Sequence, residues 1–297
     1  MATINLEFYK GSDLYSDGDI ENDIAAIVKA KKDVAAVLAE ETRWPVIYHL
    51  SPLRRNLLEW YDLPLEANIL EIGAGCGALT ELFCEKAQNV VAVELSKRRA
   101  EIIKDRLDHR KNLSIYVGSI EDMKFPLKFD IVTLIGVLEY AGSYVHSPKP
   151  HHALLKMTKN LLKRNGTLIL ALENKFGLKY WAGAREDHTG GLFDGIEGYP
   201  GNSSVATFGK HELSQLLNES GFLHHDYYYP MPDYKFAVEI FSDEFPPVYG
   251  QIRTMAPNHD RDRFCFFNEP LVFNNLIKNN MFSFFANSYL LLCKKTA

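Results

Sequence analysis

A glycine-rich turn near residue 70 has the composition of a loop that holds a ligand through the peptide backbone. Residues 71–77 read EIGAGCG and directly follow a short apolar run. Glycine permits the left-handed backbone of a tight turn, and free N–H groups at the start of a following helix attract polar ligand atoms. Many nucleotide-binding folds use such a loop, so the loop alone does not identify the nucleotide. A turn needed only for packing is the alternative interpretation.

Two carboxylates narrow the choice of ligand. Glu71 stands two residues before Gly73, and Glu94 ends a second apolar run, 17 residues after Gly77. A carboxylate at the end of the second strand can accept hydrogen bonds from both hydroxyls of a ribose. Glu71 would repel a pyrophosphate and attract an ammonium group, directly or through water. The pattern therefore favours a ligand with a ribose and an ammonium but no phosphate.

S-adenosylmethionine carries these groups, and here the sequence resembles the class I methyltransferases that use it. The resemblance covers roughly residues 53–297 and includes the GxGxG loop, the second-strand acid, the strand order and the segment 209–222. It implies an enzyme that takes S-adenosylmethionine as cofactor and releases S-adenosylhomocysteine. The cofactor-binding residues that it implies are Glu71, Gly73, Ala74, Gly75, Gly77, Glu94, Leu95, Ser119, Ile120, Gly136 and Val137.

The resemblance also implies a role for several of these residues. The glycines would admit the methionine part of the cofactor, with Glu71 near its ammonium and Glu94 on its ribose. Ser119 and Ile120 would meet the adenine. The family often has an acid after the third strand that contacts the adenine amino group, whereas this chain has Ser119-Ile120 there. The acids at 121–122 are close by and could substitute.

Candidates for proton transfer follow later strands, where an open α/β sheet binds its ligands. Methyl transfer is an in-line displacement, and a hydroxyl nucleophile needs a base to remove its proton. His188 is the first choice because histidine titrates near neutral pH, and the neighbouring Asp187 could orient its ring. Glu139 is the second choice. The alternatives are a histidine that only holds its loop in place and a glutamate that contacts the cofactor pocket or caps a helix.

A second resemblance concerns the acceptor. Segments 173–199 and 15–19 resemble a bacterial subgroup of these methyltransferases, found alone or fused to glycosyltransferases of surface-polysaccharide synthesis. This implies a sugar or glycan-linked hydroxyl as acceptor and allows a glycosyltransferase as partner. Segment 136–140 resembles the small-molecule enzymes and lacks the Asn/Asp-Pro-Pro-aromatic tetrad of amino-methylating nucleic-acid enzymes. The insertion contains four aromatic residues, Tyr180, Trp181, Phe193 and Tyr199. Their rings could contact a sugar, or they could form a small core of the insertion itself.

Composition and charge exclude several classes of protein. The 297 residues are 46% hydrophobic and 24% charged, which is typical of a globular protein and argues against disorder. The net charge of −5 disfavours nucleic acid as a partner, and the basic run 97–99 is typical of a solvated helix face. No stretch approaches the ~18 apolar residues of a membrane span, and the first residues do not resemble a signal peptide. We therefore expect a cytoplasmic protein.

The sequence predicts no metal site. The four cysteines lack CxxC spacing, so we expect them to be reduced thiols. His146, His151 and His152 lie close together but have no carboxylates at a matching spacing.

The elements that position these residues alternate between short apolar runs and helical patterns. This order indicates an α/β fold with a doubly wound, mostly parallel sheet of seven strands, the Rossmann-like methyltransferase fold. Strands are expected at 69–72, 90–93, 113–117, 131–135, 167–172, near 224–229 and near 284–293. Helices are expected at 20–39, from Ser51 through Trp60, and near 210–220.

The expected domain organisation follows from this order. Residues 1–52 would form an N-terminal helical extension that covers the cofactor site. Residues 53–297 would form the methyltransferase domain, with a substrate-binding insertion at about 174–208 after the fifth strand, since a connection of that length is usually functional. Side chains of the extension that could line the entrance are Arg43, Trp44, Tyr48 and His49.

Together, these patterns predict an S-adenosylmethionine-dependent methyltransferase that O-methylates a sugar or glycan precursor by direct displacement. A methyltransferase acting on a non-sugar small metabolite is one alternative. A cofactor-binding module that has lost catalysis and serves a glycosyltransferase is another. The acceptor, the methylated atom, any dependence on a divalent metal, the oligomeric state and whether the chain is part of a longer protein stay open.

Overall fold

The structure, a computed structural model, describes residues 1–201, 204–256 and 263–296. The chain divides into two compact units, which are described separately. The N-terminal unit comprises residues 1–134 and 161–166, and the C-terminal unit comprises residues 135–160 and 167–297.

The N-terminal unit is built on parallel strands in the order β1-β4-β3-β2-β5. Leu70 of β2 lies between Val91 of β3 and Val132 of β5, which sets the register of the central strands. Nearly every residue of β2 is buried, as expected for a central parallel strand with both faces covered. The strand bounds are β1 Thr3–Asn5, β2 Asn68–Ile72, β3 Asn89–Glu94, β4 Leu113–Val117 and β5 Phe129–Ile135, whose last residue belongs to the other unit.

Helices of this unit follow the apolar pattern of the sequence. Residues of α1, α3 and α5 share a buried apolar cluster with Cys76 of the glycine loop, so the N-terminal helices pack beside that loop. The helices are α1 Ile20–Lys29, α2 Val34–Glu40, α3 Trp44–Leu50, α4 Thr80–Lys86 and α5 Lys97–Leu107, with 3₁₀ turns at Pro52–Leu57 and Ile120–Asp122.

Two helix predictions need correction. The helix expected at 20–39 is interrupted, because Lys31 adopts a left-handed φ of 49° and the Asp33 side chain accepts a hydrogen bond from Ala35 N and caps a new helix. Apolar spacing continues across the break, so periodicity alone did not reveal it. The helix expected from Ser51 is a short 3₁₀ turn, although Ser51 caps it as predicted by accepting from Leu53 N.

Strands of the C-terminal unit are antiparallel, in the order β6-β9-β7-β8. Leu291 of β9 lies between Leu170 of β6 and Tyr227 of β7. The elements are α6 Ala141–Tyr144, α7 Pro150–Leu161, β6 Leu162–Glu173, α8 Leu178–Trp181, α9 Lys210–Glu219, β7 His224–Met231, β8 Glu239–Ser242, α10 Glu269–Lys278, α11 Phe282–Phe285 and β9 Ser288–Lys294, after a 3₁₀ turn at Leu138–Tyr140.

The expected seven strands are present, but the described part of the chain has nine. The additional strands are β1 and β8, of three and four residues. Each ends the strand order of its unit and is too short to give an apolar run. The strand expected at 284–293 begins later, because its first aromatic residues belong to α11. The helix expected near 210–220 is confirmed as α9.

The predicted insertion is fastened at its base. Asn174 and Phe208 form an isolated β-bridge, and the Asn174 side-chain amide donates to the carbonyl oxygens of Phe284 and Ala286, each at 2.7 Å. The insertion includes Asn202 and Ser203, which lie outside the described residues.

No helix within the described ranges combines the length and apolar character that crossing a membrane requires. The cysteines are free thiols, three of them buried and Cys265 exposed.

Candidate functional site

The glycine loop after β2 adopts the turn that its composition predicts. Gly73, Gly75 and Gly77 have φ angles of 76°, 57° and 81°, which side chains with a Cβ rarely adopt. The backbone N–H groups of Gly73 and Ala74 both donate to the carbonyl oxygen of Val93, at 2.9 and 3.1 Å. The loop is therefore tied to the end of β3, where Glu94 stands.

Glu94 contacts the loop directly. Its Oε2 accepts from Gly75 N at 2.8 Å and its Oε1 from Ser96 N at 3.0 Å, and the residue is 4% exposed. Burial raises the pKa of Glu94, while Arg99 and the backbone donors act in the opposite direction. A carboxylate has about four lone-pair sites, so these contacts do not use the whole accepting capacity of Glu94. Leu95 follows it and is half-buried.

Glu71 is a buried carboxyl with one hydrogen bond given by the structure. The Thr80 hydroxyl donates to its Oε2 at 2.6 Å, and the residue is 5% exposed. Burial raises the pKa of Glu71 to about 8, the charge of Glu94 adds to the rise, and Arg54 opposes it. At neutral pH this carboxyl is mainly protonated, and an incoming cation would favour its ionised form. Sequence reasoning missed Thr80, whose only signal is its position at the start of α4.

Ser119 and Ile120 follow β4 and are half-buried. The Ser119 hydroxyl accepts from Glu121 N at 3.3 Å and caps the short 3₁₀ turn. The preceding Gly118 has a φ of 137°, and a Cβ there would lie 2.4 Å from the carbonyl oxygen of Phe8. The N-terminal segment therefore packs against this corner, and the adenine contacts expected of Ser119 and Ile120 stay a prediction.

Residues 13–21 are held at the amino end of α5. Asp13 accepts from the Ser96 hydroxyl and from Lys97 N, each at 2.8 Å. Arg99 pairs with Asp17 and with Glu21, each at 2.7 Å.

This network corrects one interpretation of the sequence. The run 97–99 is not wholly a solvated face, because Arg99 is 5% exposed. His49, expected near the entrance, is buried with Nε2 2.9 Å from Asp17 Oδ2, and a Cβ at Gly75 would lie 3.7 Å from its ring. Residues distant along the chain supply these partners, so spacing did not reveal them.

Gly136 and Val137 belong to the C-terminal unit. Gly136 has a φ of 68° and donates from its N–H to the carbonyl oxygen of Ala171 at 2.8 Å. A Cβ at Gly136 would lie 2.8 Å from the Tyr234 hydroxyl, so glycine permits that close approach. Val137 is half-buried. Their cofactor contacts stay a prediction.

His188 and Glu139 are brought together, and Glu173 joins them. His188 Nε2 lies 3.8 Å from Glu139 Oε1 and 3.9 Å from Glu173 Oε2, which is longer than a hydrogen bond. Glu139 and Glu173 are fully buried, and the His188 side chain is 5% exposed. We call these three residues the Glu-Glu-His cluster. Sequence reasoning did not select Glu173, although it ends β6.

Asp187 has different partners from those expected. It was expected to orient the His188 ring, but its carboxylate binds the Tyr180 hydroxyl at 2.5 Å and the ammonium groups of Lys179 and Lys235, each at 2.9 Å.

The acid that orients the ring is Glu186. Its Oε1 lies 2.9 Å from His188 Nδ1, and its Oε2 accepts from the N–H groups of His188 and Thr189 at 2.7 and 2.6 Å. A turn therefore folds this carboxylate back onto the ring, while Asp187 points to the lysines.

Charge at the cluster is dominated by carboxylates. Burial alone would lower the pKa of His188, but Glu139, Glu186 and Glu173 together raise it well above its usual value. Burial also raises the pKa of Glu139, and the charge of Glu173 adds to this. The arrangement can therefore hold a proton between Glu139 and His188, or take another cation in its place.

Aromatic residues of the insertion brace these groups. Tyr180 is 2% exposed and bonds Asp187, and the Tyr199 hydroxyl donates to Glu186 at 3.2 Å. The Tyr140 ring meets the His188 ring edge to face at a centroid distance of 5.1 Å. Trp181 is 40% exposed and Phe193 is half-buried. Tyr180 and Tyr199 thus serve the site as hydrogen-bonding supports.

The segment around the glycine loop is similar to known proteins. Residues 70–170 match the family model described as a methyltransferase domain. The chain is 30% identical over 116 residues to a ubiquinone biosynthesis O-methyltransferase of Pelagibacter ubique, covering 38% of this chain and 45% of the relative. It is 39% identical over 71 residues to a probable ribosomal RNA small subunit methyltransferase A of Methanosarcina mazei, covering 24% and 26%.

The chain thus spans less than half the length of these two relatives. Among solved structures, it is similar to a chain of the complex between the Haloferax volcanii Trm112 methyltransferase activator and a methyltransferase. That match has a TM-score of 0.52 and 17% identity, and it covers 95% of this chain and 98% of the other. It supports a Rossmann-like methyltransferase fold. Residues 70–170 are thus similar to methyltransferase domains.

Proposed function

We propose that this protein transfers the methyl group of S-adenosylmethionine to an oxygen of a sugar or glycan precursor by direct in-line displacement. The observation that carries the proposal is the buried Glu-Glu-His cluster, whose members follow β5, end β6 and lie in the insertion. The acceptor sites of open α/β sheets lie beyond the carboxyl ends of the strands. The relatives named above act on different acceptors, so their likeness does not choose the acceptor.

The cluster supports oxygen as the methylated atom. A hydroxyl must lose its proton as the new C–O bond forms, and a paired carboxylate and imidazole supply a place for that proton. His188 Nε2 faces Glu139, while Glu186 fixes the ring through Nδ1. We therefore assign proton acceptance to the Glu139–His188 pair and the orientation of His188 to Glu186. Asp187 then acts on the site through Lys179 and Lys235.

A sugar acceptor is supported by the resemblance of segments 173–199 and 15–19 to polysaccharide-associated enzymes. It is also supported by aromatic side chains that are not fully buried, namely Tyr140 beside His188 and, in the insertion, Trp181 and Phe193. Sugars offer both apolar C–H faces and hydroxyl groups to such a lining. In this setting a glycosyltransferase is the partner that we propose, and the cytoplasm is the compartment.

For the cofactor, we propose that the glycine loop admits the methionine part, with Glu71 at the ammonium and Glu94 on the ribose. Ser119 and Ile120 would bound the adenine, and residues 1–52 would cover the site. The ties of Asp13 and Asp17 to the start of α5 support that cover.

The test uses labelled S-adenosylmethionine with a cell extract divided into glycan and small-metabolite fractions. We expect label in the glycan fraction, in an alkali-stable methyl ether. His188→Gln should lose at least 100-fold in turnover while it binds S-adenosylhomocysteine as before, since base catalysis typically contributes about 10²–10⁴-fold. His224→Gln, an exposed histidine on β7, is the matched control.

Three results would contradict the proposal. Label confined to small non-sugar metabolites would favour the first alternative. Cofactor binding without transfer to any fraction would favour an inactive module. Full turnover of His188→Gln would remove the assigned base.

A further inference from the structure

We propose that Glu139, Glu173 and His188 bind a divalent cation of the Mg²⁺ or Mn²⁺ class. The sequence predicted no metal site, because its ligands come from three separate segments. This inference deepens the proposed function, on which it rests for the reaction that the cation would serve. The binding itself is a property of these side chains and can be measured without any acceptor.

The spacing of the ligand atoms fits a small ion. One atom from each of the three side chains lies within 4.8 Å of the other two. His188 Nε2 is 3.8 and 3.9 Å from the nearest carboxylate oxygens. Ligands about 2.1 Å from a Mg²⁺ ion lie ~3 Å apart at a right angle and ~4.2 Å apart when opposite. The two distances from His188 fall within this interval and exceed those of a direct hydrogen bond.

The carboxylates carry unpartnered oxygens inside the protein. Glu139 is fully buried, and neither of its side-chain oxygens has a hydrogen-bond partner among the residues described. The same holds, within that part of the chain, for Glu173 Oε2. A buried polar atom without a partner costs free energy and calls for an explanation. A cation between these oxygens would supply the missing partner.

The ligands are held by further contacts in the manner of built metal sites. Glu186 bonds His188 Nδ1 at 2.9 Å and so turns Nε2 toward the two carboxylates. Metal-binding histidines usually have such a carboxylate or carbonyl on the other ring nitrogen. Glu173 binds Lys235 through Oε1, which leaves Oε2 to face His188. The cluster is thus arranged before an ion arrives.

The local charge also favours a cation. Within the described residues, five carboxylates belong to this linked network, at Glu139, Glu173, Glu186, Asp187 and Asp233. Two ammonium groups, those of Lys179 and Lys235, are shared among three of these carboxylates. Glu139 and Glu186 have no ammonium partner among the described residues and share only the His188 imidazole.

A bound cation would change how the acceptor loses its proton. An oxygen coordinated to a divalent ion is more acidic than a free hydroxyl. His188 Nε2 would then be a ligand, and the hydroxyl proton would pass to the carboxylate oxygen of Glu139 that does not face the ion. The carbon–sulfur bond of the cofactor breaks as the carbon–oxygen bond forms, and its electron pair stays on the sulfur, so the transfer needs no oxidant or reductant. With a cation bound, His188 would therefore be a metal ligand and Glu139 would accept the proton.

The test is Mn²⁺ binding to the chelator-treated full chain, followed by electron paramagnetic resonance and by calorimetry. We expect one Mn²⁺ per chain, displaced by excess Mg²⁺. Glu139→Gln and Glu173→Gln should each weaken binding by tenfold or more. Glu197→Gln, which removes an exposed carboxylate of the insertion, should bind as the unaltered chain does. Circular dichroism shows whether each variant is folded.

Absence of Mn²⁺ binding at millimolar concentration by the folded chain would overturn the inference, and so would equal binding by all the variants. Displacement by Zn²⁺ but not by Mg²⁺ would overturn the assigned class of ion. The two proposals fail separately. Mn²⁺ binding without methyl transfer to glycans would refute the proposed acceptor alone, whereas glycan methylation by a chain that binds no Mn²⁺ would refute the cation site alone.

Discussion

Glu71 gives a prediction whose size follows from its surroundings. Burial holds its pKa at about 8 in the unliganded protein, and its hydrogen bond from Thr80 does not offset that burial. If the ammonium of the cofactor lies beside Glu71, binding favours the ionised carboxylate. Binding near neutral pH must then expel a proton from this side chain.

The magnitude follows from the fraction of Glu71 that is ionised before binding. With a pKa of about 8, roughly 1% of the carboxyl is ionised at pH 6 and roughly 10% at pH 7. Raising the pH by one unit in this range should therefore change the affinity for the cofactor by up to about tenfold, or about 1.4 kcal/mol of binding free energy. The affinity should rise with pH. Measurements stay at or below pH 7 because α-amino groups themselves titrate at about 7.7–8.0.

The assay is calorimetric titration with S-adenosylhomocysteine, which carries the same amino group. At pH 6.5, two buffers with different ionisation enthalpies give the number of protons released on binding. We expect close to one proton for the unaltered chain and close to none for Glu71→Gln. Glu66→Gln, which removes an exposed acid before β2, is the control and should behave as the unaltered chain does.

Binding of S-adenosylhomocysteine with the same affinity at pH 6 and at pH 7, and with no proton released, would refute this reasoning. Glu71 would then not contact the ammonium. Proton release that persists in Glu71→Gln would show that another group is the source.

Further predictions concern stability and the N-terminal segment. Because the folded-state pKa of Glu71 is raised above its ordinary value, the unliganded protein should lose stability as pH rises from about 4.5 through about 8, and Glu71→Gln should flatten that loss in urea unfolding. Arg99→Met removes the buried guanidinium shared by Asp17 and Glu21, which keep His49 and Arg98 as partners, and should cost about 3 kcal/mol in urea unfolding, against little change for the exposed Arg164→Met. Gly118→Ala should weaken S-adenosylhomocysteine binding and expose residues before α1 to protease, because its Cβ would meet the Phe8 carbonyl oxygen.

The N-terminal unit was largely predictable because its determinants are local. The strand before the glycine loop, the loop itself and the acid at the end of β3 all lie between Asn68 and Glu94, and each has a composition with a direct backbone consequence. Gly75 needs its positive φ, and Glu94 meets the loop because parallel neighbours end at the same edge. The partners of Arg99 were not predictable, since Asp17 and Glu21 lie about 80 residues away in sequence.

The site in the C-terminal unit illustrates why nearness in sequence misleads. Two acids directly precede His188, Glu186 and Asp187, and the adjacent one is not its partner. In the turn at 186–189, the Glu186 carboxylate accepts from two backbone N–H groups and is thereby held against the His188 ring. Asp187 instead pairs with lysines of other segments.

The same geometry decides what His188 can do. The three carboxylates around His188 raise the pKa of its imidazole and so favour its protonated form, and within the Glu139–His188 pair the acceptor's proton then goes to Glu139. Glu139 has two oxygens without hydrogen-bond partners in the described part of the chain, and it can accept a proton in either case. Glu139→Gln should therefore abolish transfer whether or not a cation binds. His188→Gln separates the two cases, because its loss of activity should be accompanied by weaker Mn²⁺ binding only if the ring is a ligand.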